Sequence, residues 1–255
     1  MSDLVSTEVA DGVMVITINR PEARNAVNVP TAQALAQAFV ALDAREDVVL
    51  GIMTGAGGTF CSGMDLKAFA RDGERPLVEG RGFAGLCECP PAKPLIAAVE
   101  GYALAGGFEM ALASDMIVAA RNAHFGLPEV KRGIVAGAGG MMRLPGRIPY
   151  HVAMEYILTG DMLPAPRAAE LGLVNQLVEP GQALAAARAL AARIVVNGPL
   201  AVRTAKRIVV ESRDWPLAHM FDLQRPRVAH IFASADAKEG ATAFAEKRAP
   251  VWQGR

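Results

Sequence analysis

Four short apolar runs, separated by stretches of helical character, constrain the fold of this chain more than any other feature. Val13-Met14-Val15-Ile16-Thr17-Ile18 is β-branched and reads as a strand, broken by Asn19-Arg20-Pro21-Glu22. Val48-Val49-Leu50-Gly51-Ile52-Met53 reads as a buried strand running into a glycine-rich turn that ends at Gly58. Leu95-Ile96-Ala97-Ala98-Val99 and Met116-Ile117-Val118-Ala119-Ala120 complete the set. Thr31 is the expected N-cap of a helix reaching about Ala44, and Phe108 to Ala113 is expected to form a helix opening from Gly106-Gly107. Strands alternating with helices over residues 1 to about 180 predict an α/β core. In such folds ligands bind where strands end in glycine-bearing turns. The charged, glycine-bearing stretch from Arg71 to Gly80 has the composition of a loop. From Pro180 onward the pattern becomes helical: Ala183 to Val196, Pro199 to Glu211, Leu217 to Phe232 and Ala235 to Arg248. Pro199 and Pro216 sit at helix starts, where proline is tolerated. No internal repeat of fixed period is visible. With 52% hydrophobic and 20% charged residues among 255, the chain has enough apolar material for a sizeable core.

Two loops carry small residues and unpaired donors. They are Thr59-Phe60-Cys61-Ser62-Gly63-Met64-Asp65 and Ala103-Leu104-Ala105-Gly106-Gly107-Phe108-Glu109. Small residues let backbone N–H groups approach a ligand, and at a helix start those groups point at negative charge. Two such donors suit a developing oxyanion. Glu109 and Glu129 lie 20 residues apart in the sequence. Two carboxyl groups near the donors could handle water and a proton, which is chemistry next to a carbonyl. Each feature also has a bland reading. The glycine pair could serve a tight turn or close packing. Glu109 could be a first-turn dipole stabiliser worth ~0.3–1 kcal/mol. Glu129 could be an exposed ion-pair member beside Lys131 and Arg132.

Other chemistries find less support. A phosphate loop needs a Gly-Lys-Ser/Thr ending, and Gly137-Ala138-Gly139-Gly140 lacks the spacing of a dinucleotide fingerprint. Cys61, Cys87 and Cys89 suggest neither a disulfide framework nor a zinc site, and a reducing compartment fits them. His124, His151, His219 and His230 have no metal-ligand spacing, so no metal is expected; His124 reads as a strand residue. Ser62 sits in a glycine-bearing turn, but without Gly-x-Ser-x-Gly or an implied histidine partner. Lys67 is an ordinary surface lysine or a partner for a phosphate. The charges balance at 26 of each sign, giving no electrostatic case for nucleic acid or an anionic membrane. Met1-Ser2-Asp3 opens no signal peptide, and no apolar run approaches the ~20 residues that span a bilayer, so a cytoplasmic location is expected.

These segments together resemble the crotonase superfamily, specifically the enoyl-CoA hydratases. The likeness runs through Asn19 to Asn28, Phe60-Cys61-Ser62-Gly63-Met64-Asp65-Leu66, Ala98 to Glu109 and Phe125-Gly126-Leu127-Pro128-Glu129-Val130-Lys131-Arg132-Gly133. It continues through Gly139-Gly140, Arg143-Leu144-Pro145, Leu158-Thr159-Gly160-Asp161, Glu239-Gly240 and Phe244 to Arg248. It implies a spiral of ββα turns over residues 1–195 containing the active site. Residues 196–255 would be a helical oligomerisation region or lid, building a trimer or a dimer of trimers. Met64 and Gly106 would give the oxyanion hole through their N–H groups, and Glu109 and Glu129 the acid/base pair. Arg24, Ala26, Ser62, Met64, Asp65, Leu66, Lys67 and Gly106 would meet the substrate or its CoA portion, with Lys247 reaching in from a neighbouring subunit. The implied reaction is addition of water across the 2,3 double bond of a trans-2-enoyl-CoA, with no cofactor beyond the CoA thioester itself. An isomerase, thioester hydrolysis, decarboxylation and dehydration of a carnitine-like substrate remain alternatives, and a non-catalytic acyl-CoA binder is a further one. The family often has proline where this chain has Ala136, and three glycines where it has Ala105-Gly106-Gly107; the alanine at 105 is expected to change pocket shape without loss of chemistry.

Overall fold

The computed structural model of the protein describes residues 4–255; the Met1-Ser2-Asp3 start lies outside them. A six-stranded sheet is ordered Val5–Ala10, Val13–Ile18, Leu50–Gly55, Leu95–Val99, Met116–Ala120, Gln176–Val178. Its first pair is antiparallel and the others are parallel. A smaller sheet, Leu163–Pro164, His124–Gly126, Tyr102–Leu104, lies alongside.

The chain passes repeatedly from the large sheet to a short extended segment and then to a helix. Val13–Ile18 leads to the Val27 bridge and the helix Val29–Ala44. Leu50–Gly55 leads to the Cys61 bridge and the helix Leu66–Asp72. Leu95–Val99 leads to Tyr102–Leu104 and the helix Gly106–Ala113, and Met116–Ala120 leads to His124–Gly126 and the 3-10 turn Pro128–Arg132. This is the ββα spiral implied by the resemblance. Its turns begin at uneven intervals and two of their short segments pair through single bridges, which hides the repeat from any search for a fixed period.

Period-two alternation divides the strands between two apolar layers. Met14, Ile16 and Ile18 face the main core with the fully buried Phe39, Phe60, Phe108 and Phe125. Val13, Val15, Leu50, Ile52, Ile96, Ala98 and Val118 face the opposite side. The helix Ala183–Val195 covers that side with Ala183, Ala187 and Ala191, spaced four apart on one face. Methyl side chains let it lie close to the sheet. Among the described residues no single helix is long and apolar enough to cross a membrane.

Three local expectations shift. The helix over residues 29–44 is capped by Asn28, not Thr31: Asn28 Oδ1 accepts from Thr31 N–H at 3.0 Å and from the Thr31 hydroxyl at 2.6 Å. Pro30 occupies the first helical turn, where its missing N–H costs nothing. The stretch from Arg71 to Gly80 is partly ordered, closing the helix Leu66–Asp72 at Gly73 and entering the hairpin Leu77–Val78/Gly82–Phe83. The helix expected from Leu217 begins as a 3-10 turn, continues as Met220–Phe232 and contains Pro226.

Candidate active site

Buried polar side chains clasp the first donor loop to the segment that holds Arg20, Asn25 and Ala26. Asn25 is fully buried; its side chain accepts from Arg20 N–H at 2.9 Å and donates to the carbonyls of Ala56 at 2.8 Å and Thr59 at 2.6 Å. The Arg20 guanidinium donates to the Ala26 carbonyl at 2.5 Å and pairs with Asp65 at 3.0 Å. Asp65 also caps the helix Leu66–Asp72 by accepting from Ala68 N–H at 3.1 Å. Burial opposes its ionisation, but the Ala68 N–H and the Arg20 charge hold the carboxyl below the usual range. The Ala26 carbonyl and the Asp65 carboxyl thus both help to hold the first donor loop.

The backbone sets where the donors point. Val27 N–H donates to the Gly63 carbonyl, and Asp65 N–H donates to the Val27 carbonyl. In that bridge the N–H of Met64 faces away from Val27. The second loop joins the first through Cys61 N–H to the Tyr102 carbonyl at 2.9 Å and Leu104 N–H to the Cys61 carbonyl at 3.0 Å. Gly106 opens the helix Gly106–Ala113, so its N–H has no intrahelical acceptor. The loops touch: a methyl group at Gly63 would lie 2.8 Å from Ala105 Cβ and 3.1 Å from the Gly106 nitrogen. One at Gly107 would lie 2.2 Å from the Cys61 carbonyl oxygen. The glycine pair therefore divides its work, Gly107 permitting contact between the loops and Gly106 presenting a free donor. Ala105 holds φ 51° and ψ −128°, a conformation that favours glycine and costs about 1–3 kcal/mol elsewhere.

The acid residues are buried on the same cleft. Glu109 is 3% exposed, and its Oε1 accepts from Ala138 N–H at 2.7 Å and Gly140 N–H at 2.9 Å. The loop that failed as a dinucleotide fingerprint is the clamp for this carboxylate. Arg143 braces that loop from outside, donating to the carbonyls of Ala138 at 3.2 Å and Cys87 at 2.6 Å. Burial raises the Glu109 carboxyl above its ordinary value, against the pull of the two amides and of Arg143. Glu129, 8% exposed in the turn Pro128–Arg132, presents a buried Oε2 with no hydrogen-bond partner. Burial, aided by the Glu109 charge, pushes it up to about 7. The exposed ion pair is not its role: Lys131 bonds Asp161 at 2.6 Å instead. An orphaned carboxyl oxygen of this kind marks a place where something else is meant to bind.

The shift of Glu129 has a consequence for stability. Its carboxyl loses its proton near 4.5 when unfolded but near 7 when folded, so the folded chain holds more proton between those values and stability falls as pH rises through them. Glu129→Gln has no proton to lose. It should match the parent near pH 5 and exceed it at pH 8, by on the order of 2–3 kcal/mol. Urea titrations at the two pH values check this; equal differences at both would show that Glu129 does not carry the shift.

A cleft of about 440 Å³ joins these parts, lined by Arg24, Ser62, Met64, Gly106, Glu109 and Glu129 among others. Leu66 is on its wall too, whereas Lys67 and Lys247 are exposed and outside the lining of the single chain. Phe83, Arg75 and Arg132 line it as well; Arg75 lies in the charged stretch 71–80 and Arg132 in the family segment 125–133, whereas no sequence feature pointed to Phe83. The rival nucleophiles fall away. Burial pushes the Cys61 thiol up to about 12 and that of Cys87 higher, so neither offers a thiolate at neutral pH. Ser62 Oγ reaches only the Ala23 carbonyl, at 3.5 Å. His124 is a strand residue, stacked on Tyr102 and bonded to the Asn122 carbonyl at 3.0 Å.

The sequence profile of enoyl-CoA hydratase/isomerase matches residues 8–255. A carnitinyl-CoA dehydratase of Salmonella typhi is 43% identical over 251 residues, 95% of each chain. Among solved structures, an enoyl-CoA hydratase from Mycobacterium tuberculosis H37Rv is 60% identical, with a TM-score of 0.97 over 100% of both chains. A carnitinyl-CoA hydratase from Mycobacterium avium is 44% identical, with a TM-score of 0.80 over 100% of both. The ββα spiral, the paired donor loops and these full-length likenesses have one common explanation: the chain belongs to the enoyl-CoA hydratase/isomerase family of the crotonase superfamily.

Proposed function

We propose that this chain, a crotonase-type acyl-CoA enzyme, adds water across the 2,3 double bond of a trans-2-enoyl-CoA, giving a 3-hydroxyacyl-CoA, and runs the reverse dehydration at the same site. The observation that carries this reading is the pair of buried carboxyls on one cleft, one clamped by two amides and the other unpartnered.

The thioester oxygen would lie between the N–H groups of Met64 and Gly106. Attack of water at C3 moves charge onto that oxygen, and donors already fixed there need no reorganisation to stabilise it. The assignment of acid and base follows from the two environments. Glu109 has two amide donors on one oxygen, which favours its ionised form and leaves the other oxygen to take a proton from water. Glu129 has no such donor on Oε2 and is held near 7, so it keeps a proton to deliver to C2. Ser62 and Arg24 lie on the oxyanion side, where the CoA portion would enter. Lys67, and Lys247 from a neighbouring copy, would meet its phosphates. No cofactor beyond the CoA thioester is part of the proposal.

A double-bond isomerase needs one proton shuttle and would leave the clamp on Glu109 without a use. Dehydration of a carnitine-type thioester, the activity for which two relatives are named, would use the same two carboxyls. Its acyl group carries a quaternary ammonium, however, and among the described residues the only carboxyls on the cleft wall are Glu109 and Glu129, against Arg24, Arg75 and Arg132. That balance favours a neutral or anionic acyl group. The test is the decay of enoyl absorbance with crotonyl-CoA, longer enoyl-CoAs and crotonobetainyl-CoA, with product identified. A 3-hydroxyacyl-CoA from the neutral substrates is expected; product from crotonobetainyl-CoA alone would overturn the reading.

We also propose a trimer or a dimer of trimers in the cytoplasm. Exposed Leu217, Phe221 and Phe232 on the C-terminal helical region favour a covered surface, and three free cysteines suit a reducing compartment. Light scattering should give a multiple of 26.8 kDa; a stable monomer at micromolar concentration would contradict the assembly.

A further inference from the structure

The cleft wall beyond the two glutamates has a chemistry that hydration itself does not require. Arg75, in the loop between Gly73 and the strand Leu77–Val78, and Arg132, at the end of the turn Pro128–Arg132, both line it. Arg75 reaches across the cleft toward the clamp of Glu109: a methyl group at Gly137 would lie 3.6 Å from its Nη2. Arg132 makes one long contact, to the Pro128 carbonyl at 3.4 Å, and its charge is felt by Glu129. Among the described residues neither guanidinium forms an ion pair, although arginines such as Arg71, Arg121, Arg167 and Arg188 each have a carboxylate. The same wall carries the exposed apolar side chains Leu77, Ile134 and Val135.

Resting on the hydratase reading above, the acyl chain beyond C3 must lie against what remains of this cleft once the thioester oxygen is at Met64 and Gly106 and C2 and C3 are at the carboxyls. What remains includes apolar Leu77, Ile134 and Val135 and the two guanidiniums. Apolar side chains suit methylenes, and guanidiniums without an ion pair suit an anion, since arginine presents paired donors that match a carboxylate. We propose that Arg75 and Arg132 are specificity residues that select enoyl-CoAs whose acyl chain ends in a carboxylate, the mono-thioesters of unsaturated dicarboxylic acids. The same pair disfavours a quaternary ammonium at that end. The reaction that supplies such a substrate is oxidation of the corresponding saturated dicarboxylic mono-thioester at C2 and C3, and oxidation of the 3-hydroxyl group would consume the product.

The experiment compares kcat/KM on three enoyl-CoAs of matched length: one ending in a methyl group, one in a carboxylate and one in a trimethylammonium group. In the parent the carboxylate substrate should be preferred over the neutral one, and the cation should be the poorest. Arg75→Gln and Arg132→Gln should each cut the carboxylate-to-neutral ratio about 10–100-fold, the scale of a hydrogen bond to a charged group. Lysine at either position should restore part of it. A ratio unchanged by both glutamine variants overturns the proposal. So does an equal rise in KM on all three substrates, which would place the guanidiniums on the CoA phosphates. If the parent hydrates none of the three, the hydratase reading itself has failed, and the two failures are thereby told apart.

Discussion

Glu109→Gln and Glu129→Gln should each lower kcat for hydration by about 10²–10⁴-fold, the scale of a lost acid/base group, with much smaller changes in KM. Glutamine keeps the shape and the ability to accept a hydrogen bond. In Glu109→Gln the amides of Ala138 and Gly140 still have a carbonyl to bond, so the loop should hold while the base is gone. In Glu129→Gln the loss is the proton, and the pH profile separates this from mere misplacement. The parent's hydration rate should fall as pH rises through about 7, where Glu129 gives up its proton. It should also fall at low pH, as Glu109 gains one. The two limbs belong to the coupled pair. Glu129→Gln should lose the alkaline limb together with its rate. Turnover near the parent's in either variant, or an alkaline limb that survives in Glu129→Gln, would remove that residue from its role.

Removing the Gly106 donor should cost about 2.7–4 kcal/mol of barrier, but the structure changes how this must be measured. A methyl group at Gly106 would lie 2.4 Å from Phe83 Cζ, so alanine there displaces the ring and is not a mild substitution. The cleaner comparison is Gly106→Ala against Gly106→Pro, each combined with Phe83→Ala to open the space. Both carry a Cβ; only proline lacks the N–H, and it is tolerated at a first helical position. The proline variant should hydrate crotonyl-CoA about 10²–10³-fold more slowly than the alanine variant. Thermal melting and size exclusion report whether both fold. Equal rates in two folded variants would end the assignment of this amide to the oxyanion.

Local chemistry explains which features are legible in the sequence. The strand Leu95–Val99 and the helix Pro199–Glu211 match their expected bounds because an uninterrupted buried run and a proline start are local signals. The sequence points to Thr31 rather than Asn28 as the cap because Pro30 between them reads as a break, although a missing N–H is harmless in the first turn. Val5–Ala10 carries no clear strand signal because this edge strand buries only Val5, and polar Ser6 and Glu8 dilute the pattern. The short segments pairing at Val27 and Cys61 are held by single bridges, too brief to carry a periodicity.

At the site the same division holds. The sequence by itself determined the α/β core, the glycine turns, the family motifs and the two glutamates as candidates, because each is written in neighbouring residues. Only the tertiary structure decided that Glu129 is buried without a partner, that amides 29 and 31 residues away clamp Glu109, and that Asp65 is spent on Arg20. It alone brought Arg75 and Arg132 to one wall. Burial and hydrogen bonding depend on which distant segments share a volume, and a carboxyl's proton affinity depends on both; a chain read in one dimension records the group but not its surroundings.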